Sequence, residues 1–415
     1  MSLKLPAEAV RELEHCNKCG FCLPACPTYQ ETGLEMHSPR GRLSLAEAAW
    51  RGELSPGTGL ADALAQCIGC RACESACPSG VHYGVVLEHA RRDLRRQSRR
   101  YVVHTMAAGP LLGLVTRRRW FRSAVRVGRL ARALPMPRSV RALTDMLPQV
   151  EVRPTRFHPP AARGPGVVPA YFVDTCVMDA VYPQANRDAR LLLTAAGARI
   201  LPGDGEEGCC GALHLHTGAY DEAIDLARAA VARFERSLPP ETLIVSHAGG
   251  CGAMMREYGR LLGDDPTWAT KAAHWSQQVV DFAELLLRLP VPLRFQGTGA
   301  VVALQNSCHL VNGMQAGSAP VQLIRGVEGD QFISLPSQDR CCGSGGVYNL
   351  DQPAMAERVL ARHLEEVGQH RVGIWIMNNP GCALQCERGV QKAGGNARVV
   401  HLATYLRERL APVSG

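Results

Sequence analysis

Two cysteine runs near the start of the chain have the residue types and spacing of iron–sulfur ligands. Both runs read CxxCxxCxxxCP; they contain Cys16, Cys19, Cys22 and Cys26, and Cys67, Cys70, Cys73 and Cys77. In this pattern, three closely spaced thiolates hold one four-iron cube and the fourth thiolate completes the other cube. The spacing therefore predicts two [4Fe-4S] clusters, one bound by Cys16, Cys19, Cys22 and Cys77, and the other by Cys67, Cys70, Cys73 and Cys26. The alternative is a pair of zinc sites, but zinc ribbons usually carry CxxC pairs rather than four spaced thiolates followed by proline.

Length and composition are those of a multidomain globular protein. The chain has 415 residues, of which 46% are hydrophobic and 20% charged, so two or three domains with buried cores are expected. Seventeen cysteines would suggest disulfides in a secreted protein. The first residues, MSLKLPAEAV, do not show a basic segment followed by an apolar one. A reducing cytoplasm in which the cysteines bind metal is the better interpretation.

One segment carries the positive charge of the chain. From Arg91 to Arg141 there are 15 arginines and a single acid, a net charge of +14, although the whole chain carries only +8. Within it, Tyr101 to Thr116 is an uncharged run of 16 residues. This run is shorter than the roughly 20 residues that span a bilayer, and Gly109-Pro110 interrupts it. We therefore predict no transmembrane helix.

The residues that follow this run predict a basic amphipathic helix over 117–134. One face would carry the apolar side chains of Trp120, Ala124, Val127, Ala131 and Leu134, and the opposite face would carry Arg118, Arg122, Arg126 and Arg129. Peripheral docking on an anionic membrane face is one interpretation. A core-packed helix with a solvated arginine face is the other. No recognised nucleic-acid module accompanies the arginines, so nucleic acid is not predicted as a partner.

An internal repeat occupies the second part of the chain. The first copy contains Cys176, Cys209, Cys210 and Cys251, and the second contains Cys308, Cys341, Cys342 and Cys382. Each adjacent pair of cysteines is followed by glycine, and the copies are offset by 131 or 132 residues. We predict a helical domain with the two clusters over 1–100, a basic helical segment and Pro-rich linker over 101–165, and repeated units over 166–296 and 297–415.

Strand-like runs precede the first and last cysteines of each copy. Examples are Leu243-Ile244-Val245 before Cys251 and Ile374-Trp375-Ile376-Met377 before Cys382. Helical patterns lie between these runs, so each copy is predicted to be a parallel α/β sheet. Sites in such sheets form beyond the carboxyl ends of the strands, which is where the cysteines lie.

A nucleotide site is not predicted. Gly203 to Gly208 formally matches GxGxxG, but it leads into Cys209-Cys210 rather than a helix, and two glutamates would repel a pyrophosphate. We interpret it as a loop. Flavin or nicotinamide is therefore expected on a partner chain.

The paired cysteines resemble the cysteine-rich CCG domains of heterodisulfide reductase and related oxidoreductase subunits. In the heterodisulfide reductase branch such a module ends in CxxC and can bind a non-cubane [4Fe-4S] cluster through five cysteines. Here the first copy reads Cys251-Gly-Ala-Met254, and the second reads Cys382-Ala-Leu-Gln-Cys386, which is one residue too long. The resemblance implies a further iron–sulfur cluster on the repeat cysteines, whereas the missing CxxC argues against disulfide reduction. Buried structural thiols are the alternative.

Taken together, the four modules resemble the iron–sulfur subunits of bacterial glycolate oxidases. The resemblance runs from Cys16 to Leu406 and includes the SPRGR insert at 38–42 and the sequence CCGSGG at 341–346. It implies an α+β multidomain protein: a helical two-[4Fe-4S] ferredoxin-like domain followed by two repeated α/β cysteine-rich domains. It also implies an electron relay from an FAD-bearing 2-hydroxy-acid dehydrogenase subunit toward membrane quinone. Close relatives serve D-lactate, L-lactate or glycerol 3-phosphate partners, and a zinc-binding scaffold is the non-enzymatic alternative.

Overall fold

The computed structural model describes residues 2–57, 59–106, 109–131, 167–203 and 208–411. The chain forms two compact units. The first contains residues 1–113, 211–224 and 340–362, and the second contains 114–210, 225–339 and 363–415. The predicted linker at 150–166, most of the predicted loop at 203–208 and the end of the predicted basic helix lie outside the described residues. The domain boundaries proposed above stay predictions.

Helices build the described part of the first unit. They are Ala7–Glu14, Pro27–Thr32, Pro39–Trp50, Gly59–Ala65, Ala72–Ser75, Tyr83–Gln97, Arg99–His104, Ala212–His216 and Tyr348–Asp351, with a 3-10 turn at Glu35–His37. The helices between residues 7 and 104, except Pro27–Thr32, contribute to one core that includes Leu43, Leu60, Leu64, Leu87 and Leu94. Cysteines of both runs border this core, so the packing of the helices positions the thiols.

The SPRGR sequence forms the first turn of helix Pro39–Trp50. The Ser38 hydroxyl accepts a hydrogen bond from the Gly41 N–H at 2.9 Å, and Pro39 occupies the first helical position, both of which favour a helix start. Gly41 is required here because a Cβ atom would lie 2.0 Å from the Glu35 carbonyl oxygen. The helix predicted over 44–51 is therefore present but begins five residues earlier, and it buries the side chain of Arg42.

Two parallel sheets form the framework of the second unit, as predicted. The strands are β1 Val168–Phe172, β2 Ala198–Ile200, β3 Leu243–Ser246, β4 Val279–Asp281, β5 Val302–Gln305, β6 Phe332–Ile333, β7 Ile374–Met377 and β8 Arg398–His401. The first sheet has the order β2-β1-β3-β4 and the second the equivalent order β6-β5-β7-β8. All pairs within the two sheets are parallel. The α/β fold class of the repeats is confirmed.

Helices of the second unit connect and cover these strands. They are Arg118–Ala131, Cys176–Val181, Pro183–Ala195, Gly249–Arg256, Tyr258–Leu261, Ala269–Gln278, Phe282–Arg288, Cys308–Asn312, Ser318–Glu328, Pro380–Lys392 and Leu402–Arg409, with a 3-10 turn at Gly329–Gln331. Three further helices have residues in both units: Gly109–Val115, Tyr220–Ser237 and Pro353–Gln369.

The two repeats pack against each other with approximate two-fold symmetry. Helix Pro183–Ala195 of the first copy contacts Leu402–Arg409 of the second, and the equivalent helices, Ser318–Glu328 and Phe282–Arg288, make the reciprocal contact. A single hydrophobic core contains residues of both sheets, for example Phe172 and Ile376. Within the second unit, the two copies therefore share one core rather than forming two independent ones.

The uncharged run at 101–116 is broken, as its Gly109-Pro110 sequence predicts. It supplies the last four residues of helix Arg99–His104 and the whole of helix Gly109–Val115. Tyr101, Leu112 and Val115 are buried. Among the described residues, no helix combines the length and the apolar character needed to cross a membrane.

Candidate iron–sulfur sites

The first predicted set of ligands lines one cavity in the first unit. Cys16, Cys19, Cys22 and Cys77 border this cavity, and Cys73 of the second run reaches it too. The loop that carries the first three turns sharply at Gly20, whose φ of +88° favours glycine. Cys19 is exposed, whereas the other three are half-buried. The fold thus brings together four thiols that are separated by up to 61 positions in the sequence.

The second predicted set is buried in the same unit. Cys26, Cys67, Cys70 and Cys73 are all buried. Burial, with the neighbouring Cys70 thiol adding to it, raises the pKa of Cys73 well above its usual value, and Cys67 and Cys26 also act on it. These mutual effects require the four thiols to be close to one another. Which cysteine ligates which cluster stays a prediction.

Arg42 lies against this second set. Its guanidinium donates from Nε to the Ala63 carbonyl at 2.8 Å, from Nη2 to Thr28 Oγ1 at 2.9 Å and from Nη1 to Cys26 Sγ at 3.8 Å. The Tyr83 hydroxyl donates to Cys67 Sγ at 3.5 Å. Burial alone would raise the pKa of Cys67, but Arg42 and Arg91, together with this hydroxyl, hold it below its usual value.

The charges around this second set of thiols suit a bound group that carries negative charge. The Arg42 side chain is 1% exposed, and its hydrogen-bond partners among the described residues are a carbonyl, a hydroxyl and a thiol, with no carboxylate. A buried cation without an anionic partner is costly. Thiolates bound to an iron–sulfur cluster would supply the missing negative charge.

The described residues show no site for a single metal ion. No group of three or more His, Cys, Asp or Glu side chains among them is arranged to hold one.

Four thiols of the first repeat form a connected group in the second unit. Cys176 begins a helix just after β1, Cys251 lies in the helix after β3, and Cys209 and Cys210 follow β2. Cys209 shares a hydrogen bond with Cys176, and Cys210 shares hydrogen bonds with Cys209 and Cys251. These hydrogen bonds, together with burial, raise the pKa values of Cys176 and Cys210 well above the usual range. Because a metal binds thiolates, loading such a site releases protons.

A cavity of about 930 Å³ adjoins this group of thiols. Cys209 and Cys210 form part of its wall, together with Arg118, Tyr171 and Tyr258. The Tyr258 hydroxyl donates to the Cys210 carbonyl at 2.9 Å, which fixes the backbone of the cysteine pair. The first repeat therefore combines a set of possible ligands with space for a small molecule beside it.

The cysteines of the second repeat are divided between the two units. Cys308 and Cys382 belong to the second unit, where Cys308 Sγ lies 3.5 Å from His309 Nδ1 and Asn379 Nδ2 donates to Cys382 Sγ at 3.6 Å. Cys341 and Cys342 belong to the first unit.

Within the first unit, the Cys341 side chain shares a hydrogen bond with Cys70, which together with burial raises the pKa of Cys70 well above its usual value. The sequence did not indicate this contact, because 271 positions separate the two cysteines.

The basic helix does not pack its predicted apolar face on the protein core. In the second unit, Phe121 and Val125 are buried, whereas Trp120 and Val127 of the predicted apolar face are 70% and 63% exposed. This exposure contradicts the interpretation of a core-packed helix with a solvated arginine face. The helix is attached through its arginines instead, since Arg118 Nε donates to Asp179 Oδ2 at 2.8 Å, and Arg122 also contacts Asp179.

Asp179 holds the basic helix in this orientation. Burial would raise the pKa of this carboxyl, but hydrogen bonds from Arg118 and Arg122 hold it below its usual value. Arg129, seven residues after Arg122 in the same helix, donates to the Val181 carbonyl at 2.9 Å. The partly buried carboxylate therefore determines which face of the helix packs inward.

Comparison with known proteins places these features in a family. The model of a 4Fe-4S dicluster domain matches residues 12–81, and that of a cysteine-rich domain matches 170–256 and 302–387. A relative from Bacillus subtilis (strain 168), named probable glycolate oxidase iron-sulfur subunit, is 37% identical over 96% of this chain and 94% of its own length.

Two further relatives extend the comparison. The glycolate oxidase iron-sulfur subunit of Escherichia coli (strain K12) is 30% identical over 90% of both chains. Lactate utilization protein A of Halalkalibacterium halodurans is 27% identical over 57% of this chain and 95% of its own length. The order of a dicluster domain and two cysteine-rich domains, together with similarity over nearly the whole length, shows that this chain belongs to the family of glycolate oxidase iron–sulfur subunits.

Proposed function

We propose that this chain is the electron-transfer subunit of a respiratory 2-hydroxy-acid oxidase, with glycolate as the most suitable substrate. In this proposal an FAD-bearing partner subunit oxidises the substrate, and the chain passes single electrons toward membrane quinone. The observation that carries it is the convergence, in one unit, of the two sets of four cysteines. The protein sets the position and potential of the clusters, which carry the electrons. The similarity to two glycolate oxidase subunits supports glycolate, whereas the lactate utilization protein supports lactate as the alternative.

The proposed ligands are those that the sequence predicts. Cys16, Cys19, Cys22 and Cys77 would hold one [4Fe-4S] cluster, and Cys67, Cys70, Cys73 and Cys26 the other. The seventeen cysteines all lie in described residues and form no disulfide, so their thiols can act as metal ligands in this proposal. The connected thiols of the first repeat are the best candidates for a further cluster.

Iron and acid-labile sulfide should be measured on protein purified without oxygen. We expect about 8 iron atoms per chain if only the two cubes are present, and about 12 if the first repeat also holds a cluster. The protein should be brown. Colourless protein with stoichiometric zinc would contradict the proposal and favour a zinc-binding scaffold.

Peripheral membrane contact is proposed through the exposed face of helix Arg118–Ala131. Trp120, Val127 and Leu130 are 70%, 63% and 78% exposed, and Ala124 lies exposed between them. The exposed Arg117, Arg119 and Arg126 belong to the same segment. Aromatic and aliphatic side chains among cations match the surface of an anionic leaflet, where the apolar groups enter the interface and the cations meet headgroups. The attached arginines at 118 and 122 hold the helix in this orientation.

Replacing Trp120 and Leu130 together by glutamate should abolish flotation of the protein with anionic vesicles. Two carboxylates would face the anionic headgroups, and two apolar anchors would be lost. The matched control is Leu287→Glu, which changes an apolar side chain of the same unit that is 38% exposed and belongs to another helix. Equal vesicle binding by the double variant and the wild type would rule out this face as the contact.

Reduction of a disulfide is the second candidate function, because the four thiols of the first repeat adjoin a cavity that arginines line. Arg117 and Arg119, which are exposed, are among its wall residues, so an anionic disulfide would fit the chemistry. The reaction would consume two electrons from the clusters and two protons, and would release two thiols. Loss of disulfide reduction in Cys210→Ala, with quinone reduction intact, would support it; no turnover of anionic disulfides by the reduced wild-type protein would exclude it.

A further inference from the structure

The two predicted cluster sites of the first unit differ in their surrounding charge. Two buried guanidiniums, those of Arg42 and Arg91, lie at the site of Cys26, Cys67, Cys70 and Cys73. Arg91 is 4% exposed and donates to the carbonyls of Leu64 at 2.8 Å and His216 at 2.7 Å, and also to that of Cys67. As for Arg42, these partners are uncharged, and no carboxylate among the described residues pairs with Arg91. Two positive charges at this site therefore remain uncompensated by acids.

The cations at the other site are compensated. Arg40 lines the cavity of the first site, but its Nε lies 2.8 Å from Glu35 Oε1. Lys18 lines it as well, and its Nζ lies 2.8 Å from Glu47 Oε2. Both side chains are partly exposed, so solvent screens what charge remains.

Arg71 does not remove the difference in charge between the two sites. It lies within the second cysteine run, but its guanidinium is 3.2 Å from Glu88 and 3.7 Å from Glu74. Glu74 is also the acid that acts on the Cys73 thiol. Arg71 and its two acidic partners together carry a charge of −1, which is smaller than the +2 of Arg42 and Arg91, so the net charge at the second site remains positive.

A nearby positive charge and hydrogen bonds to the sulfurs both raise the reduction potential of an iron–sulfur cluster. The reduced cluster carries one more negative charge than the oxidised one, so a nearby cation stabilises the reduced state. This stabilisation is larger for a buried cation, because water does not screen it. Hydrogen bonds to the ligating sulfurs have the same effect. At the second site, Arg42 donates to Cys26 Sγ and Tyr83 to Cys67 Sγ.

We infer that Arg42, with Arg91 and Tyr83, gives the cluster at Cys26, Cys67, Cys70 and Cys73 the higher reduction potential of the two. The inference rests on the proposed function, in that both sites hold clusters. A single electron given to the chain then resides on the buried second cluster rather than on the first, whose ligand Cys19 is exposed. The sulfur contact between Cys70 and Cys341 lies on the side of this higher-potential site.

The test is a redox titration of the full-length protein, followed by electron paramagnetic resonance. Arg42→Gln and Tyr83→Phe should each lower the midpoint of the cluster with the higher potential and leave the other midpoint in place. Arg40→Gln is the matched control from the same turn of helix, and it should leave the higher midpoint unchanged. Cys19→Ala should lack the first cluster, so its one remaining resonance signal comes from the second cluster. This signal should have the higher midpoint potential.

Tyr83→Phe decides the test if Arg42→Gln does not fold, since it removes one hydroxyl from a buried aromatic side chain. Unchanged midpoints in a variant with full iron content would overturn the inference, as would equal shifts of both clusters or a lower midpoint for the signal that remains in Cys19→Ala. These outcomes leave the proposed function intact. Wild-type protein with fewer than two clusters would instead contradict the proposed function itself.

Discussion

Replacing Cys19 by alanine should remove one cluster from the purified chain and leave the other in place. Cys19 lies in the loop that supplies three of the four thiols of the first predicted set, whereas the second set is buried and most of it belongs to another run. A cube that lacks one of its four thiolates is exposed to solvent and is expected to be lost on purification. Iron should fall by about 4 atoms per chain, with a matching loss of sulfide.

Cys386→Ala is the matched control for this experiment. Cys386 is buried but belongs to none of the predicted ligand sets, so its replacement should leave the iron content unchanged. With the flavin subunit present, Cys19→Ala should stop quinone reduction, while reduction of a dye by the flavin subunit persists. Full iron content in Cys19→Ala would contradict the assignment of Cys19 as a ligand.

Replacing Asp281 by asparagine should stabilise the protein at pH 8 but not at pH 4. Burial raises the pKa of this carboxyl from its usual 3.8 to about 7. Between these two values the folded state retains a proton that the unfolded state has lost, so stability falls as pH rises through this interval. The loss amounts to about 1.4 kcal/mol per pH unit and about 4 kcal/mol at most.

Asparagine avoids this loss because it does not ionise. It also keeps the helix cap, since Asp281 Oδ1 accepts a hydrogen bond from the Ala283 N–H at 2.8 Å, and the asparagine oxygen can accept the same bond. The difference in unfolding midpoint between variant and wild type should grow from pH 4 to pH 7 and then remain constant. Asp225→Asn, at an exposed position of the same unit, controls for the loss of a charge. A difference that does not change with pH would refute the explanation.

Repeated patterns predicted the framework well. The cysteine offsets and the strand-like runs of the repeats predicted the two parallel sheets, because a buried strand of a parallel sheet shows in the sequence as a short apolar run. Local signals also predicted helices in the insert between the cysteine runs. The structure then brought together the cysteine sets that the spacing predicts, at least within the first unit and in the first repeat.

These sequence patterns did not predict contacts between residues that are distant in the chain. Helical periodicity identified a helix around Trp120, but it could not show that Arg118 and Arg122 contact the distant Asp179. Similarly, nothing in either cysteine motif indicates that Cys341 contacts Cys70. Such contacts depend on how distant segments fold together, so a pattern confined to one segment carries no information about them.

The reciprocal packing of the two repeats has a consequence for how this chain could diverge. A homodimer of single modules must change both halves whenever one position mutates, because one gene encodes them. Fusing the modules through one shared core removes that constraint while preserving the interface. Each half can then specialise alone, as the equivalent positions Met255 in one copy and Cys386 in the other illustrate. In a tandem repeat the two halves can therefore differ in sequence, as the subunits of a heterodimer do, while the single polypeptide keeps them in a one-to-one ratio.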